Sequence, residues 1–124
     1  MKKTVILLVD DEKQLLDSFR VGLGAKGYDV ITAMTGAEAL EILNSYTPDI
    51  IIADLRMKPM DGFDLFQQVK KNSALSNIPF FFLTAVNDYL AQKYGAKIGV
   101  DAYITKPVEL DDLDAMIKGR LSGK

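Results

Sequence analysis

The sequence predicts an α/β domain in which a five-stranded parallel sheet lies between two layers of helices. Five short apolar segments recur along the chain at the spacing of strand–helix units. Most of these segments are continuously apolar, which is typical of strands covered on both faces. Segments with helical periodicity separate them. Alternating strands and helices with right-handed crossovers predict a doubly wound fold.

The predicted strands are short and apolar, and they allow the order 2-1-3-4-5 of flavodoxin-like (βα)5 three-layer sandwiches. In that order strands 1 and 3 are neighbours, and ligands bind outside the carboxyl ends of the strands. The predicted strands span residues 5–9, 28–33, 50–53, 80–83 and 102–105.

The predicted helices follow the strands and are marked by apolar stripes at helical spacing. The fourth, near residues 87–97, has the weakest stripe. Thr35 and Glu38 predict a capping box for the second helix, and glycines 22, 24 and 27 are interpreted as helix-stop and turn residues. The stripes are Leu15, Leu16, Phe19 and Leu23; Ala39, Leu40 and Leu43; Phe63, Phe66 and Val69; Leu90, Ala91 and Tyr94; and Leu110, Leu113, Met116, Ile117 and Leu121.

Composition excludes several classes of function. The 124 residues fit one domain over 1–124, and a hydrophobic fraction of 48% excludes intrinsic disorder. With neither cysteine nor histidine, the chain has no disulfide, thiolate site, imidazole metal site or Ser-His-Asp triad. A net charge of −2 argues against direct nucleic-acid or anionic-membrane binding. No apolar stretch suits a signal peptide or a membrane span, so we expect a soluble, cytoplasmic protein.

Acidic residues follow two strands that the predicted order places side by side. Asp10 and Asp11 follow strand 1, and Asp54 follows strand 3. Two carboxylates about 4 Å apart repel by roughly 4 kcal/mol at an effective dielectric constant near 20. Such a group therefore needs a cation or a proton, and an all-oxygen ligand set favours Mg²⁺.

A hydroxyl and an ammonium group follow predicted strands 4 and 5 at the same edge of the sheet. Thr84 follows strand 4 and Lys106 follows strand 5. A phosphoryl group on Asp54 would complete a Mg²⁺ coordination shell, with Lys106 neutralising its oxygens and Thr84 donating a hydrogen bond. Ala85 leaves space for the incoming group. The sequence therefore predicts a phosphoryl site.

Five sequence pieces at these strand ends resemble the receiver domain of bacterial two-component response regulators, the CheY-like superfamily. They lie at residues 8–12, 48–54, 60–62, 83–85 and 102–107, and the resemblance covers essentially the whole chain. It implies a single receiver domain over 1–124 with no output domain present. It also implies a phosphorylation-dependent switch that assists its own phosphorylation and dephosphorylation but is not otherwise an enzyme.

The resemblance implies a role for each residue of the acceptor and metal site. Asp54 is expected to be the phosphoacceptor, with Asp10 and Asp11 as Mg²⁺ ligands, directly or through water. The backbone carbonyl of Arg56 is expected to be a further ligand. One position departs from the family pattern, since Lys58 stands where proline is usual and Pro59 follows it. We expect the loop after Asp54 to take a somewhat different path for this reason.

The resemblance also implies the switch residues and the partners. Thr84 and Lys106 are expected to sense the phosphorylated state, Tyr103 to be the switch aromatic, and the Lys106–Pro107 bond to be cis. The phosphoryl donor is expected to be a histidine kinase or a phosphotransfer protein. A downstream target or a fused output domain would respond, and a phosphorylated homodimer is possible through predicted helix 4, strand 5 and helix 5.

Simpler interpretations stand beside these roles. Each residue could have only an ordinary structural role: Asp11 or Asp61 as a helix cap, Asp54 as a turn residue, Thr84 as a strand residue, Lys106 as a solvated loop lysine, and Tyr103 as a packing residue.

Two other functions use a similar fold. A haloacid-dehalogenase-type phosphohydrolase also forms an aspartyl phosphate, but it carries Asp-x-Asp after its first strand and normally a cap insertion. A flavodoxin-like FMN carrier should have a first loop rich in Ser, Thr and Gly, whereas residues 10–12 are all acidic.

Overall fold

The computed structural model describes residues 2–85 and 99–122 and contains one five-stranded sheet. All four strand pairs are parallel, in the order β2-β1-β3-β4-β5, which confirms the predicted architecture. The strands are β1 (Val5–Val9), β2 (Asp29–Ala33), β3 (Ile50–Asp54), β4 (Phe80–Thr84) and β5 (Ala102–Thr105). The described helices are α1 (Lys13–Ala25), α2 (Gly36–Leu43), α3 (Gly62–Lys71) and the final helix (Leu110–Ser122). The fourth predicted helix, near 87–97, lies outside the described residues.

The strands differ from the prediction by one residue at three ends. Tyr28 precedes β2 rather than beginning it, and its buried hydroxyl donates a hydrogen bond to the Asp114 carboxylate on the final helix. β3 and β4 each extend one residue further, to Asp54 and Thr84. The ladder continues through these residues because Asp54 pairs with Leu83 and Thr84 with Thr105. Two polar residues of the predicted site are therefore held by the sheet itself.

Successive strand residues face opposite layers, so the sheet has a hydrophobic core on each side. One core joins Leu7, Ile51 and Phe82 to residues of α2 and α3. The other joins Ile52 and Phe81 to residues of α1 and the final helix. This two-sided burial explains why the predicted strands are continuously apolar. In the described ranges no helix is both long enough and apolar enough to cross a bilayer.

The helix starts show where local sequence signals hold. Thr35 caps α2 by accepting a hydrogen bond from Glu38 N, but the Glu38 carboxylate accepts from Met34 N, so the predicted capping box forms only in part. The full capping box is in α3, where Asp61 and Asp64 satisfy each other's backbone N–H groups. The cap interpretation of Asp61 is therefore confirmed.

The final helix packs on α1 through a glycine that the sequence analysis misinterpreted. Gly22 lies inside α1 rather than at its end, and a Cβ there would overlap the Leu110 side chain. Gly27 does take a turn conformation, with φ +101°. Met116 was predicted within the buried stripe but is 37% exposed. The reason is that Leu113 and Ile117 already fill the face of this helix that meets the sheet.

The close approach of α1 and the final helix gives a stability prediction. Gly22→Val should lower the free energy of unfolding by about 1–3 kcal/mol, because added methyl groups overpack the contact with Leu110. Gly24→Ala is the matched control, since a Cβ there meets nothing within 4 Å. It should raise the free energy of unfolding by about 0.5–1 kcal/mol. Urea unfolding measures both, and equal effects at the two positions would contradict the packing assigned to Gly22.

Candidate functional site

The carboxyl ends of four parallel strands bring the predicted site residues together. Asp10 follows β1, and its backbone N–H donates to Ala33 O at 3.1 Å, which fixes it against the end of β2. Asp54 is the last residue of β3 and Thr84 the last of β4, while Lys106 follows β5 directly. Because β1 and β3 are neighbours, the two aspartates face each other across the edge of the sheet.

The predicted acidic group forms a cluster that fits a hard cation. Asp10, Asp11 and Asp54 each bring a carboxylate oxygen within 4.8 Å of the others. Asp10 is fully buried; its Oδ1 accepts from Glu12 N at 2.9 Å, and its Oδ2 forms an ion pair with the Lys106 ammonium 2.9 Å away. Asp11 is exposed and Asp54 is buried. Three carboxylates this close together form the all-oxygen donor set that Mg²⁺ prefers.

Lys106 connects the cluster electrostatically. Its Nζ lies 2.9 Å from Asp10 Oδ2, 3.1 Å from Glu12 Oε1 and 3.3 Å from Asp54 Oδ2. The Lys106 side chain is only 21% exposed. The interpretation of Lys106 as a solvated loop lysine is therefore wrong. Three carboxylates share a single ammonium here, and sequence reasoning did not identify Glu12 as one of them.

These contacts shift the pKa values of Asp54 and Lys106. Burial raises the pKa of Asp54 above its usual value, and the charge of Asp10 raises it further; Lys106 and the Arg56 N–H oppose the shift. Burial alone would lower the pKa of Lys106, but the neighbouring carboxylates of Asp10, Asp54 and Glu12 outweigh that effect and raise it. Lys106 is therefore charged, whereas the negative charge of Asp10 disfavours the ionised form of the Asp54 carboxylate.

The other predicted site residues lie around Asp54. The Arg56 N–H donates to Asp54 Oδ1 at 3.2 Å. Thr84 is fully buried, and its carbonyl accepts from Lys106 N at 2.8 Å. Tyr103 is half-buried, and its ring packs against Phe82 with centroids 5.5 Å apart. The packing interpretation of Tyr103 therefore describes this conformation, and its switch role stays a prediction.

The loop after Asp54 is held close to the sheet by a glycine whose role the sequence analysis did not explain. Leu55 N donates to Leu83 O at 2.8 Å, and Gly62 N donates to Leu55 O at 2.9 Å. A Cβ at Gly62 would lie 2.7 Å from the Asp54 carbonyl oxygen. Only glycine allows this approach, so Gly62 helps to place the backbone that carries Asp54.

The two X–Pro bonds near the site are both cis. The Lys106–Pro107 bond is cis, which confirms the expectation from the resemblance. The Lys58–Pro59 bond is also cis, which the sequence analysis did not predict. The alternative that Asp11 caps the first helix is wrong, because Glu12 is the N-cap of α1 and no side chain caps it.

A cavity of about 630 Å³ opens beside the cluster. Its lining includes Leu15 and Phe19 of α1, Pro107 and Val108 after β5, and the site residues Asp54 and Lys106. Space is therefore available beside the Asp54 side chain.

Comparisons with known proteins agree with this geometry. Residues 6–118 match the family model described as "Response regulator receiver domain". The chain is 34% identical over 116 residues to the alkaline phosphatase synthesis transcriptional regulatory protein PhoP of Bacillus subtilis, covering 94% of this chain and 48% of that protein. Indeed, the chain spans about half the length of several curated relatives it matches.

Solved structures share the whole fold. The CheY-like response regulator receiver domain protein of Methanospirillum hungatei has a TM-score of 0.90 at 29% identity, with 98% of this chain and 96% of that chain covered. The chemotaxis response regulator CheY4 of Vibrio cholerae has a TM-score of 0.88 at 27% identity, with 95% and 98% covered. None of these comparisons supports the phosphohydrolase or the flavin-carrier alternative.

The raised pKa of Asp54 gives a prediction about pH and stability. The ionised Asp54 carboxylate is unfavourable in the folded chain. The contribution of Asp54 to the free energy of unfolding is therefore largest below its unperturbed pKa of 3.8, and it is lost as the pH rises through the raised pKa of the folded chain. Asp54→Asn should therefore unfold at higher urea than the wild type at pH 7 in EDTA, and this advantage should disappear near pH 4. Asp112→Asn, an exposed charge control on the final helix, should show no such pH-dependent gain. A pH-independent effect of Asp54→Asn would contradict the assignment.

Proposed function

The chain belongs to the response regulator receiver domain family, and from this premise we propose that Asp54 accepts the phosphoryl group of a two-component signalling switch. Receiver domains are signalling switches rather than enzymes in the ordinary sense. The observation that carries the proposal is the cluster itself: Asp54 lies at the sheet edge with Asp10, Asp11 and Lys106 around it, beside an open cavity.

The proposed transfer needs positioning and charge neutralisation more than covalent chemistry by other groups. A carboxylate oxygen of Asp54 attacks the phosphorus of the donor, and the bond from phosphorus to the donor's nitrogen or oxygen breaks as the acyl phosphate forms. The leaving group keeps the electron pair of that bond and takes its proton from the donor site or from water. Lys106, already 3.3 Å from Asp54 Oδ2, balances the added negative charge.

Asp10, Asp11 and Asp54 are the residues that would hold Mg²⁺, together with the Arg56 backbone carbonyl that the family resemblance implies. Mg²⁺ would draw charge from the phosphoryl oxygens and orient them for in-line transfer. The burial of Asp10 supports this assignment, because its Oδ2 shares the single Lys106 ammonium, 2.9 Å away, with Glu12 and Asp54.

The readout of the phosphorylated state is proposed to use Thr84, Lys106 and Tyr103. Thr84 ends β4 one residue after Leu83, the residue that pairs with Asp54 across the two strands, and its hydroxyl is proposed to donate to an oxygen added at Asp54. Tyr103 pairs with Phe82 across β4 and β5, which ties its ring to the same two strands. A movement of Thr84 would therefore be transmitted to the Tyr103 ring through the paired strands β4 and β5.

The proposed partners follow from the chemistry of the family. The phosphoryl donor is a histidine kinase or a histidine phosphotransfer protein, which fits a chain with no histidine of its own. PhoP of Bacillus subtilis is a transcriptional regulatory protein, so a downstream target or a fused output domain that controls transcription is one proposed recipient of the signal. Phosphorylated homodimers through the surface formed by predicted helix 4, β5 and the final helix are a further proposal.

The acceptor role predicts a phosphorylation pattern. With Mg²⁺ and acetyl phosphate, intact mass should show one added phosphoryl group on the wild type, and EDTA should reduce it at least tenfold. Asp54→Asn should show none. Asp112→Asn is the control for loss of one negative charge and should be phosphorylated like the wild type. Modification of Asp54→Asn to the wild-type extent would contradict the assignment of Asp54.

The readout role of Lys106 predicts a separation of phosphorylation from response. Lys106→Ala should still gain one phosphoryl group, but amide NMR shifts of Thr84 and Tyr103 on phosphorylation should fall to less than half of those in the wild type. The ammonium that links Asp54 to β5 is then missing. Full wild-type shifts in Lys106→Ala would contradict the role.

A further inference from the structure

We propose that Glu12 is the positioning residue for Lys106: its carboxylate holds the ammonium in place when Asp10 and Asp54 turn to a bound cation. The inference deepens the proposed function and rests on it, because it assumes that the cluster of Asp10, Asp11 and Asp54 takes Mg²⁺. Glu12 is not proposed as a ligand of the ion.

The geometry separates Glu12 from the other two partners of Lys106. Asp10 Oδ2 and Asp54 Oδ2 belong to the cluster that fits a cation, whereas the described acidic cluster does not include Glu12. Glu12 Oε1 nevertheless lies 3.1 Å from Lys106 Nζ. Its side chain is 63% exposed, against 0% for Asp10 and 9% for Asp54. Glu12 therefore contacts the lysine from the solvent side, away from the buried oxygens.

The backbone fixes Glu12 relative to this pair. Glu12 N donates to Asp10 Oδ1 at 2.9 Å, and Glu12 O accepts the first hydrogen bond of α1 from Leu16 N at 3.1 Å. Glu12 is the N-cap residue of α1, but no side chain makes a capping hydrogen bond there. The backbone of Glu12 therefore begins the helix, and its carboxylate contacts Lys106. A Glu12→Gln substitution therefore removes the charge and leaves the helix start intact.

Charge repulsion explains why Lys106 needs such a partner. The Lys106 ammonium lies 2.9 Å and 3.3 Å from oxygens of Asp10 and Asp54, the same residues that would hold a divalent cation. A cation there would repel the ammonium, so binding of the ion weakens the contacts of Lys106 with both aspartates. Of the three carboxylates in contact with it, only Glu12 keeps its charge unshared. Because an ammonium has three N–H donors, Lys106 can keep Glu12 and still donate to a phosphoryl oxygen.

The first test follows the Lys106 ammonium directly by ¹H–¹⁵N NMR of the side-chain NH₃⁺ group. Lys106→Arg, which lacks the signal, identifies it. In the wild type the signal should persist both in EDTA and at saturating Mg²⁺. In Glu12→Gln it should persist in EDTA, where Asp10 and Asp54 hold the lysine, and be lost to solvent exchange at saturating Mg²⁺.

Glu41→Gln is the matched control for this test, because Glu41 is an exposed glutamate on α2. It should behave like the wild type. Persistence of the Lys106 signal in Mg²⁺-saturated Glu12→Gln would overturn the inference, and so would its loss from the Mg²⁺-saturated wild type.

The second test is a double-mutant cycle on Mg²⁺ affinity, measured by calorimetry. Glu12→Gln should weaken Mg²⁺ binding by about twofold to fivefold, the range for exposed ion pairs. In a Lys106→Met background the same substitution should have a clearly smaller effect, because no ammonium is left to compete for Asp10 and Asp54. An equal effect in both backgrounds would mean that Glu12 acts on the ion itself and would overturn the inference.

The two tests separate this inference from the proposed function. A wild-type chain that binds no Mg²⁺ overturns the proposed function and the inference with it. A wild-type chain that binds Mg²⁺, with no coupling between Glu12 and Lys106, overturns the inference alone and leaves the acceptor role of Asp54 in place.

Discussion

The site depends on one electrostatic constraint: three carboxylates at the edge of the sheet share a single ammonium. Lys106 Nζ lies within 3.3 Å of oxygens on Asp10, Glu12 and Asp54. Asp11 lies beside Asp10 and Asp54, so the edge carries four acidic side chains and one ammonium, an excess of negative charge. Carboxylates about 4 Å apart repel by roughly 4 kcal/mol even at an effective dielectric near 20. The fold tolerates this arrangement because Asp10 and Asp54 are held by backbone contacts that do not depend on their charge.

The sheet supplies those contacts. Asp54 is the last residue of β3 and pairs in register with Leu83, so its position is set by the ladder. Asp10 is anchored by its N–H to Ala33 O at the end of β2. Gly62 then closes the loop onto the Asp54 backbone at a distance that excludes any larger residue. The edge of the sheet holds these mutually repelling groups together, and a bound cation would reduce the repulsion between their charges.

The sequence predicted the fold and most of the site because both follow from local pattern and parallel topology. Continuous apolar strands and the order 2-1-3-4-5 place Asp10, Asp54, Thr84 and Lys106 at one edge without knowledge of any contact. Glu12 was not assigned a role, because its contact with Lys106 joins residues 94 positions apart. Gly22 was misread for a similar reason: its contact with Leu110 is long-range, and glycine near a helix end usually signals a stop.

Sequence reasoning does not distinguish the environments of adjacent charged residues. From the sequence, the three acidic residues after β1 form one group, yet the structure places them in three different environments. Asp10 is buried with one oxygen 2.9 Å from the Lys106 ammonium, Asp11 is exposed, and Glu12 contacts the lysine from solvent. The difference arises because the chain turns into α1 at Glu12, so each successive residue points in a new direction. Adjacent like charges can therefore have different environments in one site, and the turn at Glu12 decides that Asp10 meets Lys106 from the buried side and Glu12 meets it from solvent.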